Sequence, residues 1–102
     1  MLEHDVQNLI RIWCGEHDIP CFRCNVGRVL CADGTWFGTG LPEGFSDLML
    51  LWDRTVVFVE VKARRGRQRE AQKDFEAMVT ERGYKYVVAR SVGDVAEALG
   101  MR

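Results

Sequence analysis

Apolar residues at Leu2, Val6, Leu9, Ile10 and Trp13 recur at intervals of three and four and stop near Gly15. That spacing predicts an amphipathic helix with Glu3 and Gln7 at the border of its buried stripe. The period then changes: Cys21 to Val26 and Arg28 to Cys31 read as one or two short strands around Gly27. Between Ala32 and Gly44 the chain carries Gly34, Gly38, Gly40 and Pro42 and shows no apolar period, so a long loop is expected. Within it Trp36 and Phe37 are expected to cover the core, with contact to a substrate base as the alternative. Two bounded apolar runs follow, Leu48 to Trp52 and Val56 to Val61, separated by Asp53, Arg54 and Thr55. They predict a hairpin of two strands. After a basic connection from Ala63 to Gly66, Ala71, Phe75, Met78 and Val79 mark the buried side of a second helix, which Gly83 should stop. Tyr84 to Ala89 is a further strand, and Ser91 with Asp94 forms a capping signal for a last helix with Val95, Ala96 and Leu99 facing inward. The predicted order is α-β-β-β-α-β-α. A strand, helix, strand unit at the end implies a right-handed parallel crossover, so the fold class is α/β, with a mixed sheet and helices on both faces.

Composition narrows this only slightly. With 102 residues, 47% hydrophobic and 28% charged, the chain is expected to be one soluble domain with a single core. No apolar run approaches the roughly 20 residues of a membrane span and no signal-peptide pattern follows Met1, so no membrane partner and a cytoplasmic location are expected. A net charge of −1 argues neither for nor against nucleic acid. Its distribution says more, because Lys62, Arg64, Arg65, Arg67, Arg69 and Lys73 face a lone Glu70 in one short stretch. Such a run is either a solvated face or a track for phosphates. The four cysteines, Cys14, Cys21, Cys24 and Cys31, include one CxxC pair. Structural zinc sites use two close ligand pairs, so this spacing argues against zinc and for reduced, partly buried thiols.

The candidate chemistry lies at the base of the hairpin. If Trp52 faces Thr55, counting back along both strands sets Asp47 opposite Glu60, where cross-strand Cβ atoms are about 5 Å apart and like charges repel. A period of two puts Lys62 on the same face as Glu60. One reading is that Asp47 merely starts a strand and Glu60 to Lys62 merely ends one. The other is that a cation between the acids turns repulsion into binding, since Mg²⁺ or Mn²⁺ takes one or two carboxylates and keeps several waters. Lysine then orients or deprotonates a water and offsets charge on a phosphate. Gln72, beside the helix stripe, is able to point toward the same strand end.

These residues, taken in order, carry a resemblance. Glu3, Val6 and Gln7, then Arg23, Asn25 and Gly27, the Gly44-Phe45-Ser46-Asp47 turn, Glu60-Val61-Lys62, Gly66, Arg67 and Gln72, and Gly83, Tyr84 and Tyr86 to Val88 resemble the VRR-NUC family of the PD-(D/E)XK nuclease superfamily. The resemblance implies a restriction-endonuclease-like core spanning 1–102 and a Mg²⁺- or Mn²⁺-dependent DNA endonuclease. It implies that Asp47, Glu60 and the Val61 carbonyl hold the metal, with Glu3 acting through water. Lys62 would activate the nucleophile and Gln72 would complete the site. DNA would be bound through Arg64, Arg65, Arg67, Arg69 and Lys73. The chain resembles the small stand-alone phage and prophage type; having room for one site that cuts one strand, it is expected to act as a C₂ homodimer on branched DNA such as four-way junctions. The alternatives are a nuclease acting on nicks, flaps or ends without junction preference, and a catalytically silent DNA-binding protein. The cysteines are not part of the family pattern.

Overall fold

In the computed structural model, which describes residues 1–101, the chain runs α1 (Glu3–Glu16), β1 (Cys21–Arg23), β2 (Arg28–Leu30), β3 (Trp36–Gly38), β4 (Leu48–Trp52), β5 (Thr55–Val61), α2 (Glu70–Glu81), β6 (Lys85–Ala89) and α3 (Val92–Ala98). The main sheet has the order β1-β4-β5-β6. Its first two pairings are antiparallel and β5 pairs with β6 in parallel, so the sheet is mixed as expected. Trp52 does face Thr55. The two residues between them, Asp53 and Arg54, have φ of 49° and 64°, the left-handed geometry whose twist matches that of the flanking strands.

Alternation along the central strands sorts the two faces. Leu48, Leu50, Val57, Val59 and Val61 are buried on one side against Val6, Ile10 and Cys14 of α1 and Val95 and Leu99 at the C-terminus. Phe58 points the other way, into an aromatic group with Phe45, Phe75 of α2 and Tyr84, its ring meeting each of theirs nearly edge-on at centroid distances of 6.0, 5.3 and 6.0 Å. Helices thus flank a mixed sheet on both faces, a restriction-endonuclease-like arrangement.

Three expectations are corrected. The stretch read as a long loop contains β3, which pairs with β2 as a separate antiparallel ribbon with Val29 opposite Phe37 and Leu30 opposite Trp36. Five strands rather than three therefore precede α2. Gly27, bending the chain into this ribbon, and Gly34, in its turn, with φ of +87° and +85°, hide its short alternation. Trp36 and Phe37 do not cover the core: they are 59% and 62% exposed. The helix stripes are also narrower than their periodicity suggests, because Leu2, Leu9 and Met78 are exposed while Cys14 is fully buried at the i+4 position after Ile10. α3 begins as expected, with the Ser91 hydroxyl accepting from the Asp94 amide at 3.2 Å. Among the described residues no helix is long and apolar enough to cross a membrane.

Candidate active site

The hairpin register, Leu48 opposite Val59, extended by one residue sets Asp47 beside Glu60. The segment that delivers Asp47 is fixed from several sides. Gly44 has φ +91°, and a Cβ there would overlap the backbone carbonyl of Ala71 in the first turn of α2. Only glycine lets the turn lie that close. The buried Ser46 hydroxyl donates to the Leu48 carbonyl at 3.0 Å, and the Cys24 amide donates to the Asp47 carbonyl at 2.8 Å. The Asp47 side chain then reaches across the strand ends, its Oδ2 accepting from the Val61 amide at 2.7 Å.

Glu60 is fully buried. Its Oε1 accepts from Gln72 Nε2 at 3.1 Å, and Gln72 is itself held because its Oε1 accepts from the Arg69 amide at 2.8 Å. The other oxygen, Glu60 Oε2, is buried without a hydrogen-bond partner. Burial, and then the Asp47 carboxylate beside it, push the Glu60 carboxyl up to about 9, with Glu3 adding to the rise and Lys62 opposing it. Lys62 is only 6% exposed, fixed at the end of β5 by its backbone amide, which donates to the Ala89 carbonyl at 2.9 Å. Glu3, in the first turn of α1, is exposed and near enough for its charge to reach Glu60.

The structure therefore gathers Asp47, Glu60, Val61, Lys62 and Gln72 at one end of the sheet, with Glu3 at the rim. A buried acid with an unpartnered oxygen beside a second carboxylate is costly as it stands, and a divalent cation is the group that would relieve it. Among the described residues no three His, Cys, Asp or Glu side chains converge as a metal site. A cation here would have two carboxylates and take its remaining ligands from backbone and water, which suits Mg²⁺ or Mn²⁺.

Arg64, Arg65, Arg67 and Arg69 lie exposed on the connection from β5 to α2. Its backbone is tied to the end of β6 by Arg90, whose Nη1 donates to the carbonyls of Ala63 at 2.7 Å and Arg64 at 3.2 Å. Lys73 stands apart from the others in being paired, with Glu70 at 3.7 Å. Sequence reasoning gave no role to Arg23, the last residue of β1, or to Asn25 just beyond it, and these line a cavity of about 220 Å³ together with Gln7, Asp47, Arg69 and Gln72. The signal was their place in the family pattern, since periodicity cannot tell an arginine and an asparagine near the end of a short strand from a solvated edge. All four cysteines are free, with Cys14 buried. Interaction between the neighbouring Cys14 and Cys21 thiols lowers the Cys21 thiol and, with burial, raises that of Cys14.

Compared with curated proteins, the chain finds no match. The family model for the VRR-NUC domain matches residues 2–93, a span that includes α1, the whole main sheet, α2 and every residue of the carboxylate site. The chain therefore belongs to the VRR-NUC family, and its mixed sheet with paired acids at one end is that of a nuclease domain.

Proposed function

We propose that the protein is a metal-dependent DNA endonuclease, and that it prefers branched DNA such as four-way junctions. The observation that carries the first part is the Asp47–Glu60 pair, with a buried, unpartnered Glu60 oxygen and Lys62 beside it. Asp47, Glu60 and the Val61 carbonyl would hold Mg²⁺ or Mn²⁺, and Glu3 would reach it through water. When bound, such an ion supplies Lewis acidity toward the phosphate and lowers the pKa of a water. Gln72 keeps the Glu60 carboxylate aimed at the site through its 3.1 Å bond. Lys62 orients the attacking water and offsets the charge that grows on the phosphate oxygens. The water oxygen bonds to phosphorus, the bridging phosphorus–oxygen bond breaks, and the leaving oxygen takes up a proton. Arg64, Arg65, Arg67, Arg69 and Lys73, exposed on the β5–α2 connection and the first turn of α2, would neutralise backbone phosphates.

Junction preference follows from symmetry. Each site cuts one strand, and resolving a four-way junction takes two cuts related by a two-fold axis, which a C₂ homodimer provides. The ribbon of β2 and β3 supports this reading. Val29, Leu30, Trp36 and Phe37 are each more than half exposed, and an isolated two-stranded hairpin is marginal in water. A second copy of the chain is the partner that would cover them.

The test is incubation with labelled linear, flapped and four-way DNA in Mg²⁺, Mn²⁺ or EDTA. Paired, symmetric nicks on the four-way substrate that vanish in EDTA are expected. Equal cutting of all substrates would remove the junction preference and leave the nuclease. DNA binding without cutting under every metal would point instead to a silent binding protein.

A further inference from the structure

The cavity beside Asp47, at about 220 Å³, is below the roughly 300–1,000 Å³ of sites that enclose a whole small molecule. Arg23 and Arg69 stand on its wall, and Asp47 is its one carboxylate. Among the described residues neither guanidinium is in an ion pair or a hydrogen bond; Arg69 is engaged only through its backbone. The larger cavity, about 950 Å³ along β6, also has basic walls. There, however, Lys85 donates to the Ala98 carbonyl at 2.6 Å, Arg90 is spent on the Ala63 and Arg64 carbonyls, and Asp94 and Glu97 share the lining. The small cavity thus combines two uncommitted guanidiniums with the amides of Asn25 and Gln7 and is walled by the acid that would hold the metal.

Both arginines are also well placed by their backbones. Arg23 is the last residue of β1, paired with Leu48 next to Asp47. Arg69 precedes α2 with its amide held by Gln72, the residue that holds Glu60. A ligand gripped between them would be positioned against the carboxylate pair by the sheet on one side and by α2 on the other.

We propose that this cavity binds a single nucleic-acid phosphate adjacent to the one that is cut, with Arg23 and Arg69 donating to its non-bridging oxygens and Asn25 adding an amide donor. Its place next to the cut bond rests on the nuclease reading above; its capacity for a phosphodiester does not. Guanidinium groups bridge two phosphate oxygens at once, which an ammonium does not. Arginine at position 23 is therefore required for its shape as well as its charge.

The experiment compares Arg23→Lys and Arg23→Gln, with Arg69→Lys as a second site, in the full chain. Binding to a labelled DNA duplex is measured in EDTA by fluorescence anisotropy. Cleavage in Mg²⁺ or Mn²⁺ is mapped on a pool of strands carrying neutral methylphosphonates at random positions. Arg23→Lys is expected to lose about as much affinity as Arg23→Gln, roughly tenfold or 1.4 kcal/mol. In the wild type, cuts should be missing wherever a methylphosphonate lies at one fixed offset from the cut bond, and in Arg23→Gln that offset should cease to matter. A lysine variant that binds like the wild type, or an interference pattern unchanged in Arg23→Gln, overturns the proposal. Arginine-specific binding by a wild type that never cuts would uphold the phosphate site and remove the nuclease.

Discussion

Glu60 carries the most distinctive chemistry of any single residue. Without metal it keeps its proton up to about pH 9, whereas in the unfolded chain the carboxyl ionises near its ordinary value of 4.5. Between those values the folded state holds the extra proton, so stability is full below about pH 4.5 and falls as pH rises through the window. Denaturant midpoints measured in EDTA should therefore decline from pH 5 to pH 9, and Glu60→Gln should flatten that decline. A wild-type midpoint that climbs over the same range would contradict the protonated acid. Because a metal must displace this proton, Mg²⁺ or Mn²⁺ affinity measured by calorimetry should rise with pH in the same interval. Asp47→Asn can still accept from the Val61 amide and takes away the charge that opposes ionisation of Glu60. It is expected to abolish cleavage while leaving the thermal midpoint unchanged or slightly higher; loss of activity through wholesale unfolding would assign Asp47 a structural role instead.

At the level of elements, two turns decide whether the acids meet. The segment before β4 passes so close to α2 that Gly44→Ala must both hold an unfavourable φ and displace the Ala71 carbonyl. The expected loss is about 2–5 kcal/mol in a urea melt, with activity falling in any folded remainder because Asp47 moves. The Asp53–Arg54 turn has the opposite character, with Arg54 paying for a left-handed φ of 64° that glycine adopts freely. Arg54→Gly should raise stability by about 0.5–1 kcal/mol without altering cleavage, and a destabilised variant would mean that the arginine side chain has a contact of its own. The β5–α2 connection makes its contribution through charge: alanine at Arg64, Arg65 or Arg67 should lower the salt slope of DNA binding by about one unit per lost phosphate contact.

For the whole molecule, the β2–β3 ribbon is the feature that one chain leaves unfinished. The radius of gyration, 14.2 Å, exceeds the roughly 13 Å expected of a compact chain of this length, in keeping with a ribbon that stands off the main sheet. If a second copy covers it, the mass in solution by sedimentation should be near twice 11.7 kDa. Replacing both Trp36 and Phe37 with serine should then give a monomer that still nicks DNA but no longer makes paired cuts on a four-way junction. A wild-type monomer at micromolar concentration would exclude this use of the ribbon.

The sequence by itself determined the local facts. Apolar spacing located α1, the β4–β5 hairpin, α2, β6 and α3, because 3.6-residue and two-residue periods follow directly from backbone geometry. Register counting from a short turn also placed Asp47 opposite Glu60, since a two-residue loop leaves the strands no freedom to slip. What depends on surfaces meeting was decided only in the tertiary structure. Periodicity cannot report how wide a face its neighbours will cover, so Leu2, Leu9 and Met78 looked buried and are exposed. The ribbon of Trp36–Gly38 was hidden because three-residue strands between glycines have too few positions to show a period. Gln72 and Arg23 stood out only through the family pattern, because periodicity by itself gives a helix glutamine or an edge arginine no role. Only the packing of α2 and β1 against the end of β5 brings one to Glu60 at 3.1 Å and the other to the wall of the cavity beside Asp47.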